Sequence, residues 1–492
     1  MGTATELDRA LAELVASGRV EVHENGHWLA ALSPVHYEVR RQGNVTLLHL
    51  WSEERNLVRR VLRVAEQSPD RIVLEVQRFG RSKPDKLEFV FAGVERTPNR
   101  LAREKFRERF CQLLAEQFPD EQLDSLSTAA DLEHSLSGCF TRGLLHRGQQ
   151  AWAVIAASAS EDAATVDAIL TYGLIWLDRA RGQSHGRVVA GLRLFLPEDA
   201  SRVTLHRLSA LDPATRIELY ELNETRWRAR QMDPRDIGNL ATWLTPRREL
   251  EFALAEAREA IEPIRKLAPE SIGVGVPPGT RDVALRFRGM EFARWHRGKV
   301  FFGLGDQRQP LTEQNHEELK QLVQKLETCR HPLAQDTDHP LYRAQAERWL
   351  ESLVQADPAR VEARLDPRHL YAQVPAFAAG DRGVIDLLGV TREGRLAVVE
   401  LKAAEDIHLP LQAVDYWLRV RWHHRQDDFH RYGYFTGVEF QQKPPLLYLV
   451  APGFRFHPST EIVLRYLSPE VQVARVGLNE NWRRGLRVVL RQ

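Results

Sequence analysis

Residues 384–402 read VIDLLGVTREGRLAVVELK, and this stretch decides the fold of the C-terminal part of the chain. Two apolar runs are separated by the polar segment 391–395, which predicts a β-hairpin. Side chains alternate between the faces of a strand, so Glu400 and Lys402 point the same way, and Asp386 on the neighbouring strand can join them. Two carboxylates and a lysine among valines and leucines form a poor core. The pattern therefore predicts a charged site at one end of the hairpin.

The chemistry of these side chains indicates a divalent metal. Carboxylate oxygens bind Mg²⁺, which keeps several waters of its own. A bound metal makes a water acidic and holds phosphate oxygens, and a lysine can orient that water. Phosphodiester hydrolysis needs these functions, so we expect Asp386 and Glu400 to hold Mg²⁺ or Mn²⁺ beside Lys402. The alternative, an exposed hairpin with a solvated Glu400–Lys402 ion pair, is disfavoured because AVVEL is too apolar for an exposed edge.

With these residues the chain resembles the PD-(D/E)XK nuclease superfamily, which has the restriction-endonuclease-like fold. The spacing Gln412-x-x-x-Tyr416 is similar to the QxxxY element of RecB-type members. VIDLLG and VVELK resemble the core of NucS-type and archaeal Holliday-junction endonucleases. The resemblance covers about residues 315–492. It implies that the three charged hairpin residues are catalytic and that Gln412 and Tyr416 shape the site. It also implies a further metal-binding glutamate on the preceding helix, for which Glu347 is the best match and Glu351 the alternative.

Composition limits the class of protein. A chain of 492 residues predicts about two to four domains, and 43% apolar with 27% charged residues is ordinary for a globular protein. The net charge of +1 gives no global basic field, so a nucleic-acid surface has to be local. Three widely spaced cysteines without a CxxC pair indicate a cytoplasmic protein without structural zinc. The sequence lacks a signal-peptide core and an apolar run of membrane-spanning length, so we expect no membrane partner.

The middle of the chain is similar to the nuclease core. VIDLLGVTREGRLAVVELKAAED aligns without a gap on FTRGLLHRGQQAWAVIAASASED, and a second block aligns Leu478–Glu480 with Leu222–Glu224. We therefore expect an internal duplication with the same order of helix, β-hairpin, long helix, strand, helix and strand in both copies. The predicted ranges are about 101–117, 138–158, 162–181, 187–196, 199–210 and 215–222 in the middle copy. In the C-terminal copy they are about 342–355, 369–402, 408–425, 445–451, 459–467 and 471–477. The middle copy, which we call the pseudo-nuclease, then has Arg142, Ala156 and Ser158 where the C-terminal copy has its catalytic residues.

These observations predict an α/β multidomain protein with two restriction-endonuclease-like domains, of which the middle one is degenerate, plus small α+β modules. The first module is expected to contain a helix at Leu7–Ser17, a second helix from Ser52 and a basic edge with Arg78, Arg81, Lys83 and Lys86. The expected domains are an α+β N-terminal module compatible with a winged-helix-like element at 1–98, the degenerate nuclease-like domain at 99–245, a connector helix with a small antiparallel β module at 246–311, and the PD-(D/E)XK nuclease domain at 312–492.

The segment after Tyr416 combines basic and aromatic residues, which suits phosphate contacts and base stacking. Since it begins on the helix that carries Gln412, we expect it to lie within reach of the metal site. The alternative is an amphipathic helix with core aromatics and solvated arginines. The candidate nucleic-acid-binding residues are Arg419, Arg421, Trp422, His424, Arg425 and Arg431.

We therefore expect a metal-dependent endonuclease for repair, recombination or defence, acting on DNA by nicking or by cutting single-stranded or branched substrates. One intact copy predicts a monomer, with a homodimer as the alternative, and the bound strand is expected to cross the pseudo-nuclease at Arg142 and Arg147. Two other functions stay open. One is an RNA-cleaving nuclease of the same fold, and the other is a non-enzymatic nucleic-acid-binding or scaffold protein with a vestigial nuclease domain. The intact hairpin residues argue against the second.

Overall fold

The computed structural model describes residues 4–16, 20–24, 27–31, 36–42, 45–51, 56–77, 84–91, 98–129, 131, 134–183, 186–236, 242–305, 307–378 and 383–492. They form two compact units. The smaller unit comprises residues 1–102 and 334–345, and the larger comprises residues 103–333 and 346–492. In the described ranges, no helix combines the length and the apolar character needed to cross a membrane.

Residues 4–91 of the smaller unit contain, where the structure describes them, one helix and seven strands. These elements are α1 Ala4–Ala16, β1 Val20–Glu24, β2 His27–Ala31, β3 His36–Gln42, β4 Val45–Trp51, β5 Asn56–Ser68, β6 Arg71–Gln77 and β7 Asp85–Phe91. The strands form an antiparallel sheet in the order β2-β1-β7-β6-β5-β4-β3. Its core contains Leu11 and Leu14 of α1 packed on Leu74 and Phe89 of the sheet.

One prediction for this unit is wrong. The helix predicted from Ser52 is replaced by strand β5, because β4 and β6 pair with β5 on its two sides. The described part of residues 4–91 is a seven-stranded sheet with α1, and the winged-helix-like element expected in this module stays a prediction. Ser52 and the predicted basic residues Arg78, Arg81 and Lys83 lie outside the described residues, whereas Lys86 lies in β7 with its Nζ atom 2.8 Å from Glu88 Oε1.

The middle of the chain forms a six-stranded mixed sheet with helices on both faces. The elements are α2 Pro98–Gln117, β8 Gln122–Ser127, β9 Phe140–Arg147, β10 Gln150–Ala157, α3 Ala163–Asp167, α4 Ile169–Gly182, β11 Val188–Pro197, α5 Arg202–Leu208, β12 Arg216–Asn223 and β13 Arg228–Met232. The order is β13-β12-β11-β10-β9-β8. Leu174 of α4 packs on one face with Ile155, and Phe110 of α2 packs on the other face with Ala156. The hairpin predicted at 138–158 is thus confirmed as β9–β10.

A connector region follows. Its elements are β14 Thr242–Leu244, α6 Arg247–Arg265, β15 Ile272–Gly275, β16 Val283–Phe287, β17 Met290–His296, β18 Lys299–Phe302, β19 Gln309–Pro310 and α7 His316–Cys329. Strands β15 to β19 form a small antiparallel sheet, which confirms the short strands predicted there. Pro263 lies near the end of α6 and does not interrupt it.

The C-terminal part forms a second mixed sheet. Its elements, after α8 Pro340–Arg343 of the smaller unit, are α9 Ala346–Ala356, β20 Leu365–Ala378, β21 Val384–Thr391, β22 Leu396–Leu401, α10 Leu409–Arg425, α11 Asp428–Arg431, β23 Leu446–Pro452, α12 Thr460–Arg465, β24 Gln472–Leu478 and β25 Val488–Arg491. The sheet order is β14-β20-β21-β22-β23-β24-β25. The predicted hairpin 384–402 is confirmed as β21–β22, which lies inside this sheet.

The two mixed sheets have the same strand directions. From β8 to β13, successive neighbours pair antiparallel, antiparallel, parallel, parallel and antiparallel. From β20 to β25 the pairing follows the same series. The predicted order of helix, hairpin, long helix, strand, helix and strand is therefore present in both halves.

Candidate active site

Asp386 and Glu400 lie side by side on the central hairpin of the C-terminal sheet. Leu387 of β21 pairs with Val399 of β22, which places the two acids opposite each other. The Asp386 side chain is 21% exposed, and one of its oxygens accepts a hydrogen bond from the backbone N–H of Leu401 at 3.1 Å. Glu400 is only 1% exposed. The apolar run around Glu400 buries the strand, so the Glu400 carboxyl group lies inside the protein, next to the half-buried Asp386.

Burial makes both acids reluctant to ionise. It raises the pKa of Glu400 well above its usual range, and the nearby charge of Asp386 adds to the effect. Burial also raises the pKa of Asp386, against the opposing charges of Arg348 and Lys402. The Oε2 atom of Glu400 is buried and has no hydrogen-bond partner among the described residues. An acid pair of this kind needs a positive charge to compensate it.

Lys402 follows directly on the end of β22 and supplies part of that charge. Its Nζ atom lies 3.5 Å from Asp406 Oδ2 and 3.9 Å from Glu347 Oε2. Burial by itself would lower the pKa of Lys402, but Glu347, Glu400 and Asp406 outweigh it and raise the pKa. The lysine is therefore charged at neutral pH. Asp406 was missed in the sequence prediction, and its only signal there is its short distance from Lys402 along the chain.

The two glutamates of α9 serve different parts of this site. Glu347, the predicted metal ligand, lies beside Lys402. Glu351 is buried and accepts hydrogen bonds from Arg348 at 2.7 Å and from Gln373 at 2.6 Å. Burial raises the pKa of Glu351 to about 7, with Arg348 opposing the shift and Asp386 contributing to it.

Arg348 and Gln373 are site residues that sequence reasoning missed. The Nη1 atom of Arg348 lies 3.9 Å from Asp386 Oδ1, and Nε2 of Gln373 lies 3.5 Å from the same oxygen. Gln373 has a φ of 54°, a left-handed conformation that is rare for a side chain of this type inside a strand. Such outliers concentrate at functional sites. Both residues reach Asp386 only because β20 and α9 flank the hairpin.

Helix α10 places the predicted QxxxY pair over the acids. Gln412 donates a hydrogen bond to the Tyr416 hydroxyl at 3.4 Å. Burial raises the pKa of Tyr416, and the charge of Glu400 adds to the shift, so the phenol stays protonated. Arg419, one turn further along, lies 5.7 Å from the Tyr416 ring centroid and donates to the backbone oxygen of Ala376 at 3.1 Å.

The predicted nucleic-acid-binding residues do not form one surface. On a helix, residues 412, 416 and 419 share a face, whereas residues 421, 422 and 425 point to other sides. Arg421 is paired with Glu470, and His424 packs on Phe440. Arg431 is exposed and paired with Asp428 at 3.0 Å. The structure therefore places Arg419 at the site, and Trp422 and Arg425 as exposed side chains elsewhere on α10.

The residues of the site fit a magnesium-type ion. Within the described ranges, no group of three or more His, Cys, Asp or Glu side chains is arranged to hold a metal. Mg²⁺ needs fewer protein ligands, because it is usually bound through one or two carboxylates and completes its shell with waters and substrate phosphate. Asp386 and Glu400, with the unpartnered Oε2 atom of Glu400, provide that set.

The corresponding hairpin of the middle sheet corrects the predicted alignment. Arg142 of β9 pairs with Ile155, so Ile155 and not Ala156 occupies the position of Glu400, and Ala157 replaces Ser158 as the counterpart of Lys402. The alignment without a gap was wrong by one residue on the second strand. Neither set of residues can bind a cation, so the expected loss of ligands is unchanged.

In the middle half, the polar side chains next to the end of hairpin β9–β10 are paired with one another. Glu224 accepts from the hydroxyl of Ser158 at 3.2 Å and from the backbone N–H of Ala159. Arg103 and Glu161 form a two-point ion pair at 2.7 and 3.0 Å.

Of the two arginines predicted to contact a bound strand, only one is accessible. Arg142 is buried and donates to the backbone oxygens of Ser137 and Ala129, so it cannot contact a nucleic acid. The side chain of Arg147 is 74% exposed and lies 3.6 Å from Asp120.

Comparison with known proteins finds similarity to a solved structure. No family model matches the chain, and no match is found among curated proteins. The chain is similar to the crystal structure of a repair endonuclease from Pyrococcus abyssi, with 12% sequence identity, 45% of this chain and 96% of that chain covered, and a TM-score of 0.19. Similarity at this TM-score carries no argument about fold or activity, and the function has to be inferred from the side chains of the site.

Proposed function

We propose that the chain is a metal-dependent endonuclease with a restriction-endonuclease-like domain in its C-terminal part. One observation carries the proposal: Asp386 lies beside Glu400, and a buried oxygen of Glu400 has no hydrogen-bond partner among the described residues. A buried acid without compensation is costly. Next to a charged lysine, this arrangement is expected where a cation and a phosphate bind during the reaction.

Each residue of the site has a role in this proposal. Asp386 and Glu400 would hold Mg²⁺ or Mn²⁺, with Glu347 as a further candidate ligand. The bound cation would polarise the phosphate and lower the pKa of a water. Lys402, kept charged by the acids around it, would orient the attacking water and stabilise negative charge on the phosphate. The protonated Tyr416 and its neighbour Gln412 would form the wall of the site and donate hydrogen bonds.

We also propose that the middle sheet is a degenerate copy of the nuclease domain, within the expected boundaries 99–245 and 312–492. The shared strand order and directions support this, as does the alignment of both hairpins once one residue is inserted. With one set of acids, the protein would nick duplex DNA or cut single-stranded or branched DNA. Repair, recombination and defence against foreign DNA are the processes in which such an activity would serve.

A cleavage assay tests the proposal directly. The purified protein is incubated with single-stranded DNA, duplex DNA, branched DNA and RNA, with Mg²⁺, with Mn²⁺ or with EDTA. We expect metal-dependent cleavage of DNA that is lost in Glu400→Gln and Lys402→Met. Glu393→Gln is the matched control, because Glu393 is exposed in the turn of the same hairpin and lies away from the acids.

The outcomes separate the alternatives. Cleavage of RNA alone would support the RNA-cleaving nuclease. Binding without cleavage of any substrate would support the non-enzymatic protein. A Lys402→Met protein that cuts at the wild-type rate would contradict the assignment of the site.

A further inference from the structure

The two mixed sheets of the larger unit pack on each other through the same elements. Helix α5 of the middle half packs on α10 of the C-terminal half, and α12 of the C-terminal half packs on α4 of the middle half. In their sheets α5 and α12 occupy the same place, before the last parallel strand, and α4 and α10 both follow the hairpin. The α5–α10 contact and the α12–α4 contact are therefore equivalent: if the two halves changed places, each contact would take the position of the other.

The backbone hydrogen bonds at the centre of this interface are also equivalent in the two halves. Leu211 and Leu467 form an antiparallel β-bridge. The N–H of Asp212 donates to the Tyr466 carbonyl oxygen at 2.9 Å, and the N–H of Ser468 donates to the Ala210 carbonyl oxygen at 2.9 Å.

The sequence alignment makes these bonds equivalent. The shift that aligns Leu222–Glu224 with Leu478–Glu480 also aligns Leu211 with Leu467. It places Ala210 on Tyr466 and Asp212 on Ser468, so each hydrogen bond becomes the other when the halves are exchanged. An interface in which the same surface patch contacts itself is the isologous interface of a two-fold dimer.

The interface also contains a buried apolar core and an ion pair between the two halves. Leu211 and Leu467 belong to one apolar core that continues through both halves. Arg207 of α5 forms a two-point ion pair with Asp415 of α10, at 2.9 and 2.7 Å. Each half thus covers a surface of the other half, and this surface would otherwise be accessible to a second chain.

We propose that the two halves form an internal pseudo-dimer, in which the middle half occupies the position of a second nuclease subunit. The consequence for assembly is a monomer, because the self-complementary surface is already used within one chain. The consequence for the reaction, which rests on the proposed function, is that one encounter with duplex DNA breaks one strand. A break in both strands would need a second set of acids aimed at the opposite strand.

An engineered disulfide tests the interface without reference to activity. Leu211 and Leu467 form the pair that is not directly hydrogen-bonded, for which the Cα atoms of an antiparallel ladder are about 4.5 Å apart, within reach of a disulfide. We expect Leu211→Cys with Leu467→Cys to form a bond within one chain under oxidation, detected as faster migration on a non-reducing gel. Each single variant is a control for disulfides to the native Cys111, Cys139 and Cys329. A disulfide between two chains, or no disulfide in the folded protein, would overturn the proposal.

A second measurement covers the case in which buried cysteines prevent folding. Arg207→Ala and Asp415→Ala should each lower the melting temperature, and the double variant should lose less than the sum, because the two side chains form one ion pair. Full additivity would contradict the interface.

Light scattering and plasmid cleavage then test assembly and outcome together. We expect a mass near 56.4 kDa and conversion of supercoiled plasmid to the nicked form, with the disulfide-linked protein cutting as wild type does. A stable dimer that produces linear plasmid without a nicked intermediate would overturn the pseudo-dimer. A protein that forms the disulfide within one chain but cuts nothing would contradict the nuclease and support the internal pairing.

Discussion

Replacing Glu351 by Gln measures how much folding free energy is lost by burying an ionised carboxyl group at the site. Burial raises the pKa of Glu351 from 4.5 to about 7, against the opposing charge of Arg348. At about 1.4 kcal/mol for each pKa unit, keeping this buried carboxyl ionised costs about 3 kcal/mol of folding free energy. Because the pKa is higher in the folded state, wild-type stability falls as the pH rises from 4.5 through about 7. Glutamine has the same shape and no proton to lose, so the variant does not share this decline.

We expect Glu351→Gln to melt above wild type at about pH 8 in EDTA, by about 2–4 °C for each kcal/mol gained. The difference should shrink steadily as the pH is lowered towards about 5, as measured by calorimetry. Glu362→Gln is the matched control with the opposite sign. Although burial raises its pKa, hydrogen bonds from Arg364 outweigh that effect and lower the pKa of Glu362 to about 2. Glu362→Gln should therefore melt below wild type at neutral pH. A gain for Glu351→Gln that is the same at every pH would refute the reasoning.

Further substitutions separate the roles of the charges around the site. Glu400→Gln should raise the melting temperature in EDTA because burial disfavours its charge, whereas Lys402→Met should lower it because acids surround this lysine, and both should abolish plasmid cleavage. Arg419→Gln should lower kcat/KM for DNA more than Arg425→Gln does, because Arg419 lies at the site and Arg425 is exposed on another side of α10. Arg147→Glu should weaken DNA binding in a titration at low salt, and less so at high salt, if the strand crosses the middle half. Unchanged affinity would place the strand elsewhere.

The larger unit could be predicted from sequence because local and long-range preferences agree there. The sequence predicts a helix at 408–425 and strands at 445–451 and 471–477, and the structure has α10 Leu409–Arg425, β23 Leu446–Pro452 and β24 Gln472–Leu478. The prediction failed at β5, where Ser52 and two glutamates resemble a helix start. Residues 56–68 nevertheless form a strand, since pairing with β4 and β6 outweighs the local preference.

The site was only partly predictable, for reasons of geometry. Asp386 and Glu400 meet because adjacent strands of a hairpin fix their register, which the sequence contains. Arg348 and Gln373 approach Asp386 only through the packing of α9 and β20 around that hairpin, for which the sequence has no local signal. An alignment without gaps also cannot account for turns of different length. The middle hairpin turns between Arg147 and Gln150, a shorter connection than the one between Thr391 and Leu396, and this difference produced the error of one residue.

The contrast between the two hairpins bears on whether the protein is an enzyme. The middle hairpin keeps its strands and its core with Arg142, Ile155 and Ala157, so the fold does not require acids at these positions. The C-terminal hairpin instead carries Glu400 with a strongly raised pKa, at a cost in stability. A scaffold that only binds would fold more stably with the residues of the middle half. Acids that the fold does not need, placed where they are costly and beside a charged lysine, support the proposed reaction, which would use them.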